Sequence, residues 1–129
     1  MANQFVVQLK NEPGAMATLA EALAARGVDL RAIGGGGIGD SGHVIMTTAD
    51  DETTKQVLDE GGYTYIEGES ILAEVDDRPG GMARLSRQLA NAGVNIYGHL
   101  FLGRWGDRAM FTFVVDNPDI ARPILERKG

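Results

Sequence analysis

The chain has 129 residues, 43% of them hydrophobic and 23% charged, a balance typical of a globular protein. Its net charge of -6 and the scatter of its arginines argue against a nucleic-acid partner, because such partners are bound by clustered Lys and Arg. It contains no cysteine, which excludes disulfides, thiolate metal sites and cysteine nucleophiles. No apolar run has the length of a signal peptide or a membrane span, so the sequence predicts a cytoplasmic protein with no membrane partner.

The first elements in chain order are a strand, a Pro-Gly turn and a helix. Apolar residues alternate along QFVVQL, which indicates a strand with one buried face. After the turn at residues 13–14, Met16, Leu19 and Leu23 recur at helical spacing. Gly27 follows them where a helix C-cap belongs, because glycine tolerates a positive φ.

Two strands, a second helix and a final strand complete this unit. VDLRAI and HVIMTT are β-like runs separated by a Gly/Asp turn. Asp50 or Asp51 is a suitable N-cap for the helix DETTKQVLDE, which Gly61 closes. A last strand is expected around YTYIEG.

The same order of elements returns in the second half of the chain. Aligning Pro13 with Pro79 matches both turn glycines and most apolar positions of the two segments without a gap. The sequence therefore predicts two copies of one unit, at residues 1–68 and 69–129. The second copy reaches a final helix, N-capped by Asn117, and lacks a counterpart of the last strand. Pro123 lies inside that helix and is expected to kink or shorten it.

The predicted order is β-α-β-β-α-β followed by β-α-β-β-α. This is the ferredoxin-like plan of an α+β fold, with helices on one face of an antiparallel sheet. A unit of about 60 residues is marginally stable by itself. We therefore expect the two units to share a core or a continuous sheet.

The two segments around the Pro-Gly turns resemble a known family. A strand, then NEPGAM or DRPGGM, then an apolar helix ending in GVDL or GVNI, is similar to the ACT domain, a family of small regulatory modules of which many bind amino acids. The resemblance covers nearly the whole chain, twice. It implies that the two units lie side by side and form one continuous antiparallel sheet through their second strands.

The resemblance also implies where a ligand would lie. In amino-acid-binding members the ligand sits where the first loop of one unit faces its neighbour. A helix N-terminus there suits a carboxylate, because its first N–H groups are unpaired and it carries a partial positive charge. The implied sites are Asn11, Gly14 and Ala15 with Asn95, and Asp77, Gly80 and Gly81 with Asp29. The alternative is a plain tight turn in which Asn11 or Asp77 caps the helix.

These two implied sites differ in charge. One has two amides, Asn11 and Asn95, and the other has two carboxylates, Asp77 and Asp29. Because paired carboxylates repel an incoming carboxylate, the site with the amides is predicted to be the better amino-acid site. Asn95→Ala should therefore weaken binding more than Asp29→Ala.

The glycine-rich run GGGGIGDSG matches the spacing of a dinucleotide fingerprint. That mechanism requires a helix directly after the glycines, whereas the strand HVIMTT follows here, so nucleotide binding is not predicted. Glycines in a strand indicate close approach of another backbone or a ligand. We expect Tyr97, Phe101 and Trp105 of the second copy to occupy the space that they leave, and a flexible hairpin end is the alternative.

No residue pattern indicates catalysis or a metal. Ser41 and Ser86 lack a nucleophile setting, and neither His43 nor His99 has further ligands at a metal-binding spacing, so no cofactor is expected. The sequence predicts a non-enzymatic regulatory protein that binds an amino acid or similar small polar ligand, forms a homodimer and acts on a partner enzyme. The alternative is a ligand-free association subunit that dimerises or organises a partner enzyme. A small ferredoxin-like enzyme is a weaker third class, because no acid/base pair is present.

Overall fold

The structure, a computed structural model, describes residues 3–126. The chain divides into two compact units between Gly68 and Glu69. The first unit contains six elements: β1 (Asn3–Lys10), α1 (Ala15–Ala25), β2 (Leu30–Ile38), β3 (Ser41–Thr48), α2 (Asp51–Glu60) and β4 (Tyr65–Glu69). The second contains five: β5 (Ile71–Asp76), α3 (Gly81–Asn91), β6 (Ile96–Trp105), β7 (Arg108–Val115) and α4 (Pro118–Leu125).

This element order confirms the α+β fold class and the repeated ferredoxin-like plan. The first unit has a four-stranded sheet in the order β2-β3-β1-β4, and the second has a three-stranded sheet in the order β5-β7-β6. Within residues 3–126 the second unit thus has no strand in the place that β4 takes beside β1.

The strands form two separate sheets, so the continuous sheet expected from the sequence is not formed by hydrogen bonds within the described chain. Among the residues that the structure describes, the strands that were expected to join, β2 and β6, each pair only with their hairpin partner. Both have irregular register, with one shift in β2 and two in β6. Bulges of this kind twist a strand locally and end regular pairing at a sheet edge.

Each unit has its own apolar core between helices and sheet. In the first unit, Phe5 and Val7 of β1 pack with Leu19 and Leu23 of α1, and all four are fully buried. The matching residues of the second unit include Ile71, which packs with the helix side chains of α3 and α4. Burying one such large side chain contributes about 1.5–3 kcal/mol, so these clusters hold the helices on the sheet.

The glycines predicted to end the first helix of each copy do so. Gly27 follows the last helical turn of α1 with a φ of +73°, a left-handed conformation that favours glycine. The Gly27 N–H donates to the Ala24 carbonyl at 2.9 Å, and the Val28 N–H donates to the Leu23 carbonyl at 3.0 Å. This is the Schellman pattern, and the second unit repeats it at Gly93, which has a φ of +76°.

The other two helices begin at the predicted caps. Asp50 accepts a hydrogen bond from the Thr53 N–H at the start of α2, and Asn117 accepts one from the Ile120 N–H at the start of α4. Pro123 lies within α4, which continues to Leu125. Of the helices in residues 3–126, none combines the length and the apolar character that a membrane span requires.

Candidate functional site

The Pro-Gly loop of the first unit joins β1 to α1 in a tight turn. The Ala15 N–H donates to the Glu12 carbonyl at 3.3 Å, and the Thr18 N–H donates to the Gly14 carbonyl at 2.9 Å. Gly14 is the N-cap and has a φ of +88°, which costs an L-residue roughly 1–2 kcal/mol. The second unit repeats this turn, with Gly80 as N-cap at a φ of +92°.

Neither of these two helices has a side-chain cap, so the interpretation of Asn11 and Asp77 as N-caps is wrong. The Asn11 amide instead donates from Nδ2 to the Gly39 carbonyl at 2.9 Å. Asp77 pairs through Oδ2 with the Nε of Arg104 at 2.8 Å. The first N–H groups of α1 therefore have no side-chain acceptor. The Ala15 N–H is already bonded to the Glu12 carbonyl, and the N–H groups that follow it in the first turn keep their capacity to bind an anion.

An open cleft of about 310 Å³ lies beside the loop of the first unit. It is bounded by the end of β1, the loop, the first turn of α1 and the neighbouring strands β2 and β3. Residues on its walls include Leu9, Asn11, Ala15, Met16, Ile33 and Val44. The cleft thus brings together Asn11 and Ala15, two of the residues that the sequence predicted for a site, next to the Gly14 N-cap.

Bare glycine backbone forms one side of this cleft. A Cβ on Gly35 would come within 2.4 Å of the backbone oxygen of His43, a distance that no side chain tolerates. A Cβ on Gly37 would come within 2.6 Å of the Asn11 side chain. This confirms that the run accommodates close approach, and both glycines lie within strand β2. The expected packing of Tyr97, Phe101 and Trp105 over these glycines stays a prediction.

Two unpaired charges of opposite sign lie on the cleft wall. Lys10 is the last residue of β1, and Glu12 is in the loop. Within residues 3–126 neither side chain forms an ion pair or a hydrogen bond. A free ammonium and a free carboxylate beside a helix N-terminus without a side-chain cap are complementary to a small zwitterion.

The second unit has a cleft at the corresponding place, with a volume of about 360 Å³. The charged side chains at the two corresponding positions on its wall already form ion pairs. Asp76 and Arg78, the counterparts of Lys10 and Glu12, pair with each other at 3.3 Å. Asp76 also pairs with Arg108 and, at 3.5 Å, with Arg84.

The strand beside the second cleft carries large side chains in place of glycines. Gly35 lies opposite Val44 in β3, and the equivalent residue of the second unit, Phe101, lies opposite Phe111 in β7. The two phenylalanine rings are 5.4 Å apart, and the Arg104 guanidinium lies 4.8 Å above the centre of the Phe101 ring. A ligand entering this cleft would compete with these contacts.

The remaining predicted site residues have other surroundings. Gly81 packs against the backbone of β5, where a Cβ would come within 2.2 Å of the Asp76 carbonyl oxygen. Asp29 is exposed immediately before β2, at the opposite end of that strand from Asn11, and pairs with Arg31 at 3.4 Å. Asn95 is exposed and donates its backbone N–H to Asp116 at 2.9 Å. The pairing of Asn11 with Asn95, and of Asp77 with Asp29, stays a prediction.

Sequence reasoning missed Lys10 and Glu12. The signal was present in the repeat itself, since aligning Pro13 with Pro79 places Asp76 at the position of Lys10 and Arg78 at that of Glu12. This double reversal of charge in an otherwise matched segment indicates that the two loops differ in their electrostatics. Among the described residues, no three His, Asp or Glu side chains are grouped as metal ligands.

Comparison with known proteins gives a family match within the first unit and a fold for the whole chain. Residues 4–60 match the family model of the ACT domain. The crystal structure of protein BT0572 from Bacteroides thetaiotaomicron matches with a TM-score of 0.71 at 20% identity, over 96% of this chain and 85% of that chain. The regulatory subunit of aspartate kinase from Thermus flavus matches with a TM-score of 0.64 at 17% identity, over 97% and 91% of the two chains. The ligand-free regulatory subunit of aspartate kinase from Thermus thermophilus matches with a TM-score of 0.59 at 19% identity, over 96% of this chain and 89% of that chain. No curated protein matches the chain at a significant level.

Proposed function

We propose that this chain, whose residues 4–60 match the family model of the ACT domain, is a regulatory protein that binds an amino acid in the cleft of its first unit. The observation that carries this proposal is the pair of free charges, Lys10 and Glu12, on the wall of a cleft beside an uncapped helix. The second unit serves as an internal comparison, because its corresponding charges are paired with each other.

The proposed binding mode follows from the charges. The α-carboxylate of the ligand lies between the Lys10 ammonium and the first N–H groups of α1, where both attract an anion. The α-ammonium lies near the Glu12 carboxylate. Asn11 borders the same cleft and its Oδ1 has a lone pair for the ammonium, while Nδ2 holds the turn through Gly39.

Thermal unfolding in the presence of each of the twenty amino acids tests the proposal. A ligand at one hundred times its dissociation constant stabilises the folded protein by about 2.7 kcal/mol, which raises the melting temperature measurably. Lys10→Ala and Glu12→Ala should each reduce this shift. Glu21→Ala is the matched control, because Glu21 is exposed on α1 and does not border the cleft. If no amino acid raises the melting temperature of the natural chain, the proposed function is wrong.

We propose further that the chain regulates by association with another protein rather than by catalysis. Four large apolar side chains of β6 are exposed, namely Tyr97, Phe101, Leu102 and Trp105. Exposed apolar groups of this kind are typical of protein–protein interfaces. Structures named as regulatory subunits of aspartate kinase share the fold, which supports a catalytic partner for this chain.

This surface equally favours the second candidate, a ligand-free association subunit that forms a homodimer. Light scattering after size exclusion, with and without amino acid, separates the two candidates. A sensor changes its assembly or its melting temperature with ligand. A pure association subunit forms the same assembly in both conditions, and Trp105→Ser weakens that assembly.

A further inference from the structure

We infer that the ligand of the first cleft is an α-amino acid with an uncharged aliphatic side chain. This inference rests on the proposed function, since it names the class of ligand for the same site. It follows from the distribution of apolar and charged groups around the cleft.

The part of the cleft away from the loop is apolar. Met16 projects from the first turn of α1, Ile33 from β2 and Val44 from β3, and all three border the cleft. Ile33 is 48% exposed, although it lies opposite the fully buried Met46 in the sheet, so apolar surface is available there to a ligand. Covering such surface with an aliphatic group is favourable, because it removes apolar area from water.

The charged groups of the cleft are confined to the loop side. Lys10 and Glu12 flank Asn11 in the chain, and the proposed binding mode uses both for the ammonium and carboxylate common to all amino acids. Apart from His43, the cleft wall has no other ionisable side chain. A ligand with a charged side chain would therefore leave that charge without a partner on an apolar wall.

The glycines of β2 leave space for the aliphatic side chain of the ligand, because they carry no side chain of their own. At Gly35 no Cβ fits, so the strand presents only backbone to the cleft, whereas the second unit has the Phe101 ring at this position. The second cleft is also lined by Asp76, Asp77, Arg78 and Arg104, four charged side chains. The two clefts thus differ in chemistry, and the aliphatic ligand is assigned to the first alone.

Isothermal titration calorimetry of the full chain with L-leucine, L-methionine, L-aspartate and L-lysine tests the inference. Leucine or methionine should bind tightest. Ile33→Asn should weaken leucine binding about ten-fold, within the range seen when an apolar contact to a ligand is lost. Ile38→Asn is the matched control, because Ile38 lies on the same strand, is 90% exposed and does not border the cleft.

Each outcome bears on one of the two proposals. Tighter binding of aspartate or lysine than of leucine would overturn the aliphatic assignment and leave the amino-acid site intact. Equal effects of the Ile33 and Ile38 substitutions on leucine binding would also overturn it. Absence of binding by all four probes and by the rest of the twenty amino acids would overturn the proposed function itself.

Discussion

The side chain of Asn11 lies against the bare backbone of Gly37, where a Cβ would come within 2.6 Å of the Asn11 Cγ. In the second unit the same two places in the fold hold Asp77 and Arg104, which form an ion pair at 2.8 Å. In the first unit, the Lys10 and Glu12 side chains on the cleft wall have no partner among the described residues. In the second unit, the ion pair of Asp77 with Arg104 ties the loop to strand β6.

Gly37→Ala should weaken amino-acid binding several-fold with little loss of stability. The new methyl group displaces the end of the Asn11 side chain, which is exposed and can turn away at low cost. A double-mutant cycle by calorimetry checks the mechanism, because Gly37→Ala should have no further effect on binding in an Asn11→Ala chain. Additive effects of the two substitutions would show that Gly37 acts without Asn11.

Gly81→Ala should lower the free energy of unfolding by about 1–3 kcal/mol, the usual cost of forcing a group into a packed space. The Cβ would come within 2.2 Å of the Asp76 carbonyl oxygen, which is backbone and cannot turn aside. Urea unfolding measures the loss. The reverse change at the equivalent position of the first unit, Ala15→Gly, should lower the free energy of unfolding by at most about 1 kcal/mol, which is the difference in helix propensity between alanine and glycine. Equal losses at both positions would contradict the packing role given to Gly81.

Asp50→Ala should destabilise α2 at pH 7, and the difference from the natural chain should shrink in acid. Hydrogen bonds from the Thr53 hydroxyl and N–H lower the pKa of Asp50 below its ordinary value of 3.8. The stabilisation by the charged cap is therefore complete above pH 3.8 and is lost as the pH falls through the lowered pKa. Urea unfolding at pH 7 and pH 3 measures the change. Asn117→Ala on α4 removes a neutral cap and should show a pH-independent loss.

Tyr65 should ionise only in strong alkali. Its hydroxyl donates to Asp59 Oδ1 at 2.7 Å, and this hydrogen bond, together with burial and the nearby negative charge, raises the pKa of Tyr65 to about 12. The stabilisation is complete below pH 10 and is lost as the pH rises through about 12. Absorbance at the tyrosinate band, compared between the natural chain and Tyr65→Phe, isolates this group. Asp59→Ala should return the titration midpoint of Tyr65 toward 10. An unchanged midpoint would exclude Asp59 as the cause of the raised pKa.

The sequence predicted the elements well because each is marked by local chemistry. Gly27 and Gly93 end their helices through a positive φ, and Asp50 and Asn117 begin theirs through a side-chain oxygen. Such signals act within a few residues and need no knowledge of the rest of the fold. The repeat supported most elements a second time, because the same signals recur in the second copy.

The site was predicted less completely, because it depends on contacts between distant segments. The sequence alone did not reveal that Asn11 bonds to Gly39 across the strand hairpin, so its helix-cap interpretation was wrong. It also did not reveal that Lys10 remains unpaired while Asp76 is surrounded by arginines. The glycine run was correctly linked to close approach, but its partners, the His43 backbone and the Asn11 side chain, emerge only from the fold.

A backbone chemical-shift titration of the full chain with L-leucine tests the central claim most directly, because it reports where the ligand binds as well as whether it binds. We predict saturable shifts at the amides of Asn11, Ala15, Met16 and Gly35 around the first cleft. We predict unchanged amides at Asp77 in the second unit. Saturable shifts confined to the second unit, or no saturable shift with any amino acid, would contradict the claim that the first cleft is an amino-acid site.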